Sequence, residues 1–391
     1  MAARLFAEFF AGIGLVRAGL EPGGWHCAYA NDVDSKKKQM YEGHFGPSPE
    51  YHLGDVWDCG EVIRRLPTGI ELATASFPCV DLSIAGHWQG LDGKHSSTFF
   101  AFLDVLKAMG NSRPAVVLIE NVVGFVKSRG GKDFARACSS IAELGYWLDA
   151  FVLDAKWFVP QSRPRIFIVA IRNHLRTHPL FAGSEGLFGG QLSSGAHPLR
   201  PAQLTELCDR IDLKTGWVQA ALPNPPHRET FLGDVLDAGG ELEWWSESDV
   251  NHHLELMQAP SRDRLRKLMP LPTVRLGTAF RRTRLGKPRT EVRFDLAGCL
   301  RTPKGGSARQ IVVRAGKGQI EFRWMTAREY ARLQGIPSFQ FNVPEQQAMY
   351  GFGDAVCVPA IQWIDRWYLS PLFDRTIAAS GGLNARPILA G

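Results

Sequence analysis

The first 170 residues alternate short apolar runs with amphipathic stretches, and this alternation limits what the chain can fold into. Leu5–Phe9, Cys27–Ala30, Leu72–Ser76, Val116–Ile119 and Ile166–Ala170 read as strands, and Lys36–His44, Thr98–Met109 and Asp133–Leu144 read as helices. Strands separated by helices predict an α/β fold with a doubly wound sheet. Strand after strand ends in a polar or glycine-rich turn: Gly12-Ile13-Gly14, Asn31-Asp32, Pro78-Cys79, Glu120-Asn121. Open α/β sheets bind ligands at those carboxyl ends. These turns, far apart in sequence, should therefore converge on one crevice.

The chain has 391 residues, of which 45% are hydrophobic, enough for one or two domains with a sizeable core. No run of about 18 apolar residues is present, so no transmembrane helix is expected. Nor does the N-terminus carry the basic start, apolar stretch and small-residue cleavage site of a signal peptide. The seven cysteines lie at least 20 positions apart with no C-x-x-C pair. Neither a metal site nor a disulfide framework is expected, and a reducing cytoplasm fits best.

Charge is unevenly spread. Residues 261–320 hold sixteen Lys or Arg and three acids, in a chain whose total is +6. An excess of thirteen positive charges in sixty residues is the electrostatic footprint of a polyanion, although a solvated basic face is the simpler alternative. Residues 183–198 are rich in Gly and Ser and read as a linker, so a domain boundary is placed there.

Four motifs carry chemistry. In Phe10-Ala11-Gly12-Ile13-Gly14 the glycines permit a tight turn and close backbone approach, and Asp32, twenty positions after Gly12, is placed to bond ribose hydroxyls. The third glycine of a dinucleotide fingerprint would fall at Arg17, which argues against NAD or FAD. A nucleoside without a pyrophosphate, such as S-adenosylmethionine, fits better, with Asp55 in Gly54-Asp55-Val56 near the adenine. Cys79 in Phe77-Pro78-Cys79 is either a reactive turn thiol or a small buried hydrophobe. The glycine-rich stretch Ala85–Ser97 that follows has the composition of a closing loop. Glu120-Asn121 follows the most apolar strand, where burial favours a protonated carboxyl; a helix cap is the alternative. Arg163 and Arg165 in Gln161-Ser162-Arg163-Pro164-Arg165 alternate along an extended segment and can point into one site.

Together, in this order and spacing, the motifs resemble the cytosine carbon-5 DNA methyltransferase family. The resemblance includes the F-A-G-x-G turn, the P-C loop, E-N-V and Q-x-R-x-R. It extends to Thr326-Ala327-Arg328-Glu329-Tyr330-Ala331-Arg332-Leu333-Gln334-Gly335, similar to T-x-R-E-x-A-R-L-Q-G, and to Gly353-Asp354-Ala355-Val356, similar to G-N-A-V. It covers 5–170 and 321–367, and the gap that the family gives to target recognition holds the basic cluster. Three positions depart from the pattern: Leu15 for a glycine, Val80 for a glutamine, and Asp354 for the usual asparagine near the methionine part of the cofactor.

The resemblance implies a Rossmann-like methyltransferase sheet with a smaller, irregular target-recognition domain. The expected divisions are a catalytic domain at 1–175, target recognition at 176–320, a hinge at 321–345, and a segment at 346–391 returning to the catalytic domain. Cys79 would be the nucleophile and Glu120 the acid, with Arg165 on the pyrimidine oxygen and restraining Glu120. Arg163 would favour the thiolate and hold phosphate, and Asn121 would fix the loop. S-adenosylmethionine, released as S-adenosylhomocysteine, would be held by Phe10, Ala11, Gly12, Ile13, Gly14, Asp32, Val33, Asp55, Val56, Pro78, Thr98, Asp354, Ala355 and Val356. Double-stranded DNA would meet Ser83, Arg281, Arg282, Arg284, Arg301, Ser307 and Arg309. A cytoplasmic monomer, nucleoid-associated when bound to DNA, is expected. The recognition sequence and any restriction or phage-defence partner are left open.

Overall fold

The computed structural model describes residues 4–78, 90–93, 96–181, 197–237, 242–284, 287–302 and 309–374. Seven strands form the large sheet: β1 Arg4–Phe9, β2 Trp25–Asp32, β3 Tyr51–Leu53, β4 Leu72–Ala75, β5 Val116–Val122, β6 Tyr146–Asp154 and β7 Pro164–Arg172. Their order is β3-β2-β1-β4-β5-β7-β6. β3, β2, β1, β4 and β5 are parallel, whereas β7 runs antiparallel to both neighbours. The five runs expected as strands lie in β1, β2, β4, β5 and β7.

The helices α1 Leu15–Leu20, α2 Ser35–Phe45, α3 Cys59–Arg65, α4 Thr98–Ala108, α5 Gly124–Lys127 and α6 Lys132–Glu143 accompany this sheet. Side-chain alternation along each strand fills two cores. Val116 and Leu118 join the core that holds Leu20 and Ile361, and Val117 and Ile119 join the one that holds Phe102 and Phe134. This explains why β5 reads as a continuous apolar run rather than an alternating one.

The sequence pattern does not predict β6, because Asp149 interrupts its apolar run. That carboxylate is fully buried and accepts from Arg200 Nη2 at 3.0 and 2.9 Å, from the Ala220 amide and from Tyr368 Oη. A segment beyond the expected boundary runs beside β6. Val152 donates to Leu199 O, Val218 donates to Leu148 O, and Leu199, Val218 and Ala220 enter the same core. Packing therefore groups residues 197–222 with the large sheet, not with a separate domain starting at 176.

Helices α7 Ala202–Asp209, α8 Leu232–Val235, α9 Glu247–Glu255 and α10 Ala259–Leu268 lead into a second sheet. It comprises β8 Arg275–Arg284, β9 Lys287–Arg293, β10 Gln310–Gly316 and β11 Gln319–Trp324, antiparallel in the order β11-β10-β8-β9. The expectation of an irregular region is corrected here. Ala279, Ile311, Val313 and Phe322 pack with Val250 and Leu265 beneath the sheet. Arginines interspersed along β8 and β9 hide this pattern in the sequence. β11 also runs through the division expected at 320.

After β11 the chain returns through α11 Ala327–Leu333, α12 Glu345–Asp354 and α13 Val358–Ile364. Thr326 and Glu329 form a capping box at α11. A Cβ on Gly19 of α1 would lie 2.6 Å from Ile361, so that glycine permits the close seating of α13.

Candidate active site

The glycine turn after β1 is a nest of left-handed residues: Phe10, Gly12 and Gly14 have φ of 57°, 57° and 81°. Phe10 adopts this conformation without glycine's freedom, a strain that concentrates at functional sites. The turn is anchored on both sides. Gly12 N donates to Asp32 Oδ2 at 2.9 Å, and Tyr51 Oη donates to Gly12 O at 3.1 Å. Asp34 N donates to the other Asp32 oxygen at 3.0 Å.

These contacts test whether the crevice suits S-adenosylmethionine. Asp32 is 8% exposed, and each of its oxygens accepts one backbone N–H, which leaves lone-pair capacity for ribose hydroxyls. Beyond it, Val33 and Trp57 are 65% and 50% exposed, apolar surface of the kind an adenine ring would cover. Asp55 is exposed and accepts from Trp57 N, whereas Val56 is buried. Ala11 and Ile13 are buried beneath the turn. The residues fit a nucleoside. Arg17, at the position of a third glycine, is held by Glu21, Glu50 and Tyr41 Oη.

The reversed direction of β7 builds the other half of the site. Its start lies beside the end of β5, with Arg165 opposite Val122 and Phe167 opposite Glu120. Arg165 Nε consequently sits 2.8 Å from Glu120 Oε1, with both side chains largely shielded from water. Asn121 Nδ2 donates to Phe77 O at 3.1 Å, and Ser96 Oγ donates to Pro78 O at 3.1 Å. Two elements thus hold the backbone immediately before Cys79. Thr98 opens α4 just after Ser96.

Arg163 requires a correction. It is 2% exposed and donates to Leu300 O at 2.8 Å, to Gly353 O at 3.2 Å and to Ala355 O. A guanidinium committed to three carbonyls inside the protein is not placed to hold phosphate; it clamps the 299–302 loop and the 353–355 turn to the start of β7. A Cβ on Gly353 would lie 2.5 Å from Arg301 C, so this turn touches the loop backbone directly. Val356 is buried beside it.

Three contributors escape the sequence reading. Ser96 is, in the sequence, only part of a polar loop. Lys37 looks like one of three lysines on a solvated helix face, yet its Nζ lies 3.1 Å from Asp354 Oδ2. Cys299 Sγ lies 3.4 Å from Arg163 Nη1 and 4.0 Å from Arg165 Nη2. Burial opposes its thiolate, but Arg163, Arg165 and Arg301 outweigh burial and hold the thiol below its usual range.

Of the expected DNA contacts, Arg281 and Arg309 both lie over the Trp324 ring, at 5.7 and 5.0 Å from its centroid, and Arg301 is exposed. Cys79, Ser83 and Ser307 lie outside the described residues, as do the side chains of Arg282 and Arg284.

Strand order, the reversed β7, the glycine turn and the carboxylate ending β2 together define a Rossmann-like methyltransferase. The fold is similar to that of Entamoeba histolytica methyltransferase EhMeth, with a TM-score of 0.61 at 14% identity, covering 96% of this chain and 99% of that one. Two curated relatives are similar in sequence. Type II methyltransferase M.HhaI of Haemophilus parahaemolyticus is 33% identical over 44% of this chain and 50% of its own length. Type II methyltransferase M.NgoBI of Neisseria gonorrhoeae is 26% identical over 91% of this chain and 90% of its own length. A family model described as C-5 cytosine-specific DNA methylase matches residues 5–367, and the chain belongs to that family of DNA cytosine-5 methyltransferases.

Proposed function

We propose that this chain extrudes a cytosine from duplex DNA and methylates its carbon-5 through a covalent adduct with Cys79, using S-adenosylmethionine. The observation that carries the reading is the Arg165–Glu120 pair at 2.8 Å, set beside the Asn121 contact to Phe77 O. It supports a reading in which Glu120 handles a proton, Arg165 positions it, and the backbone leading to Cys79 adjoins both. Carbon-5 of cytosine is a poor nucleophile, and covalent addition at carbon-6 activates it. Extrusion is required because the ring atoms are inaccessible in the stack.

In this mechanism the Cys79 thiolate forms a bond to carbon-6 while protonated Glu120 gives its proton to ring nitrogen-3. Electron density then resides at carbon-5. Arg165 holds Glu120 in line and faces the pyrimidine oxygen. Bound S-adenosylmethionine supplies the methyl group, and Asp32, the glycine turn, Val33 and Val56 would hold its nucleoside. Loss of the carbon-5 proton to a base and expulsion of Cys79 restore the ring, and the nitrogen-3 proton returns to Glu120. The relatives carry Type II methyltransferase names, which supports a role in self-marking of DNA within a restriction-modification or phage-defence system.

The test is methyl transfer to duplex DNA and to tRNA, with 5-fluorocytosine DNA as a trap. Transfer to DNA and a trapped complex that disappears in Cys79→Ser are expected. Transfer confined to tRNA, or turnover without a trapped complex, overturns the proposal. Bisulfite sequencing of DNA from expressing cells then reads the recognition site.

A further inference from the structure

The Lys37–Asp354 pair joins the first turn of α2 to the last residue of α12 at 3.1 Å. Each charge stands at the wrong end of its helix. A cation in the first turn and an anion in the last both oppose the helix dipole, so helix stability does not account for either. A partly exposed pair contributes little to folding by itself.

Position suggests another role. The Lys37 stem runs over the glycine turn, with Cδ 3.9 Å from where a Gly12 Cβ would stand. Burial works against the Lys37 ammonium, yet Asp32, Asp354 and Asp34 outweigh it and hold its pKa up. Lys37 therefore runs beside the glycine turn that Asp32 anchors and ends at the carboxylate of Asp354. Both ends are fixed in advance. Gln334 donates to Phe352 O and Ala355 O, while Arg163 holds Gly353 O and Ala355 O. A Cβ on Gly351 would meet Met40 and Ile13 below 3 Å, so α12 seats tightly on α2 and the turn. Asp354 is half exposed and Lys37 about one quarter.

We propose that Lys37 and Asp354 together read the amino-acid end of the cofactor, the Lys37 ammonium taking its α-carboxylate and the Asp354 carboxylate its α-ammonium. One internal ion pair opens into two pairs with a zwitterion, and no net charge is buried. A neutral asparagine at 354 would require no such counter-ion; the carboxylate in this chain comes with a lysine across the crevice. The inference rests on the S-adenosylmethionine reading and adds which residues hold the methionine part.

The test is calorimetric binding of S-adenosylhomocysteine and of 5′-methylthioadenosine, which keeps the nucleoside and thioether but lacks the amino acid. Wild type, Lys37→Met, Asp354→Asn and the double variant are compared, with melting curves to confirm folding. Wild type should prefer S-adenosylhomocysteine. Each single variant should weaken that ligand roughly tenfold to hundredfold, the range for a charged hydrogen bond, and leave methylthioadenosine unchanged. Equal losses for both ligands would make the pair a structural strut and overturn the proposal. So would unchanged affinities, or recovery of S-adenosylhomocysteine binding in the double variant, which would reduce Lys37 to a neutraliser of Asp354. If wild type binds neither compound, the cofactor reading itself falls, and this inference with it.

Discussion

Glu8, near the end of β1, is 2% exposed, and burial pushes its carboxyl up to about 8. The nearby backbone amides of Arg17 and Val16 favour the ionised form but only partly offset that penalty. Those amides belong to the first turn of α1, so Glu8 stands close to the start of that helix. Its pKa in the fold exceeds the unfolded value of about 4.3. The folded chain therefore keeps a proton that the unfolded chain releases, and stability falls as pH rises from about 4 to about 8. Glu8→Gln should raise the melting temperature at pH 8–9, by an equivalent of up to a few kcal/mol, and leave it unchanged near pH 4. Parallel melting curves for the two proteins across that range would show that Glu8 is ionised in the fold. Cys79→Ser should abolish methyl transfer while S-adenosylhomocysteine still raises the melting temperature, since a hydroxyl does not supply the anion a thiol does. Normal turnover would remove the covalent route.

At the scale of elements, the reversal of β7 is decisive. A seventh parallel strand would carry Arg163 and Arg165 to the opposite end of the strands, beside the start of β5; the antiparallel strand starts where β5 ends. Their alternation in an extended segment is readable from sequence, and both approach Cys299 Sγ. What each one holds is not readable. Arg163 serves three carbonyls drawn from positions 300, 353 and 355, far away in the chain. Arg163→Met should destabilise the fold by at least about 1–3 kcal/mol, the penalty for one orphaned buried acceptor, measured by urea unfolding. Arg163→Lys should recover little, because a point charge does not reproduce the guanidinium fork. Full stability in the methionine variant would show that the turn stands without its clamp. A second junction lies where β11 meets α11. The buried Arg323 pairs with Glu329 at 2.6 Å and donates to Asp237 O. Glu329→Ala should cost roughly 3–5 kcal/mol by leaving an uncompensated guanidinium inside.

For the whole molecule, the question is how the basic sheet meets a nucleic acid. Part of its charge is engaged internally: Arg314 pairs with Glu321 at 2.6 Å, and Arg264 and Arg293 lie over Phe294 and Phe280. Arg281 and Arg309 flank Trp324, and Arg301 stands in the loop that touches the 353–355 turn. Alanine changes at Arg281, Arg282, Arg284, Arg301 and Arg309 should mostly weaken binding to every duplex. Removing an arginine that neutralises one phosphate should flatten the salt dependence by about 0.9 in log–log slope. One or two should instead relax the choice of site while methylation continues, since a bidentate arginine–guanine contact discriminates by about 1–3 kcal/mol. Arg309 is the first candidate. Wild-type affinity and methylation pattern in all five variants would leave the cluster a solubility device.

The sequence by itself determined the strand-and-helix alternation, the glycine turn with Asp32 behind it, and the family, because those depend on local periodicity and on motifs a few residues long. It also showed the concentration of positive charge. The tertiary structure decided what depends on contacts between distant positions. β6 was hidden by a buried Asp149 whose partner Arg200 lies 51 residues away. The second sheet was hidden by arginines among its apolar positions, and its core is visible only once α9 and α10 cover it. Lys37 resembled its neighbours Lys36 and Lys38 until α12 brought Asp354 to within 3.1 Å. A charge pattern along one helix does not record which carboxylate another helix delivers; that is settled by packing, and packing sets the roles proposed for these residues.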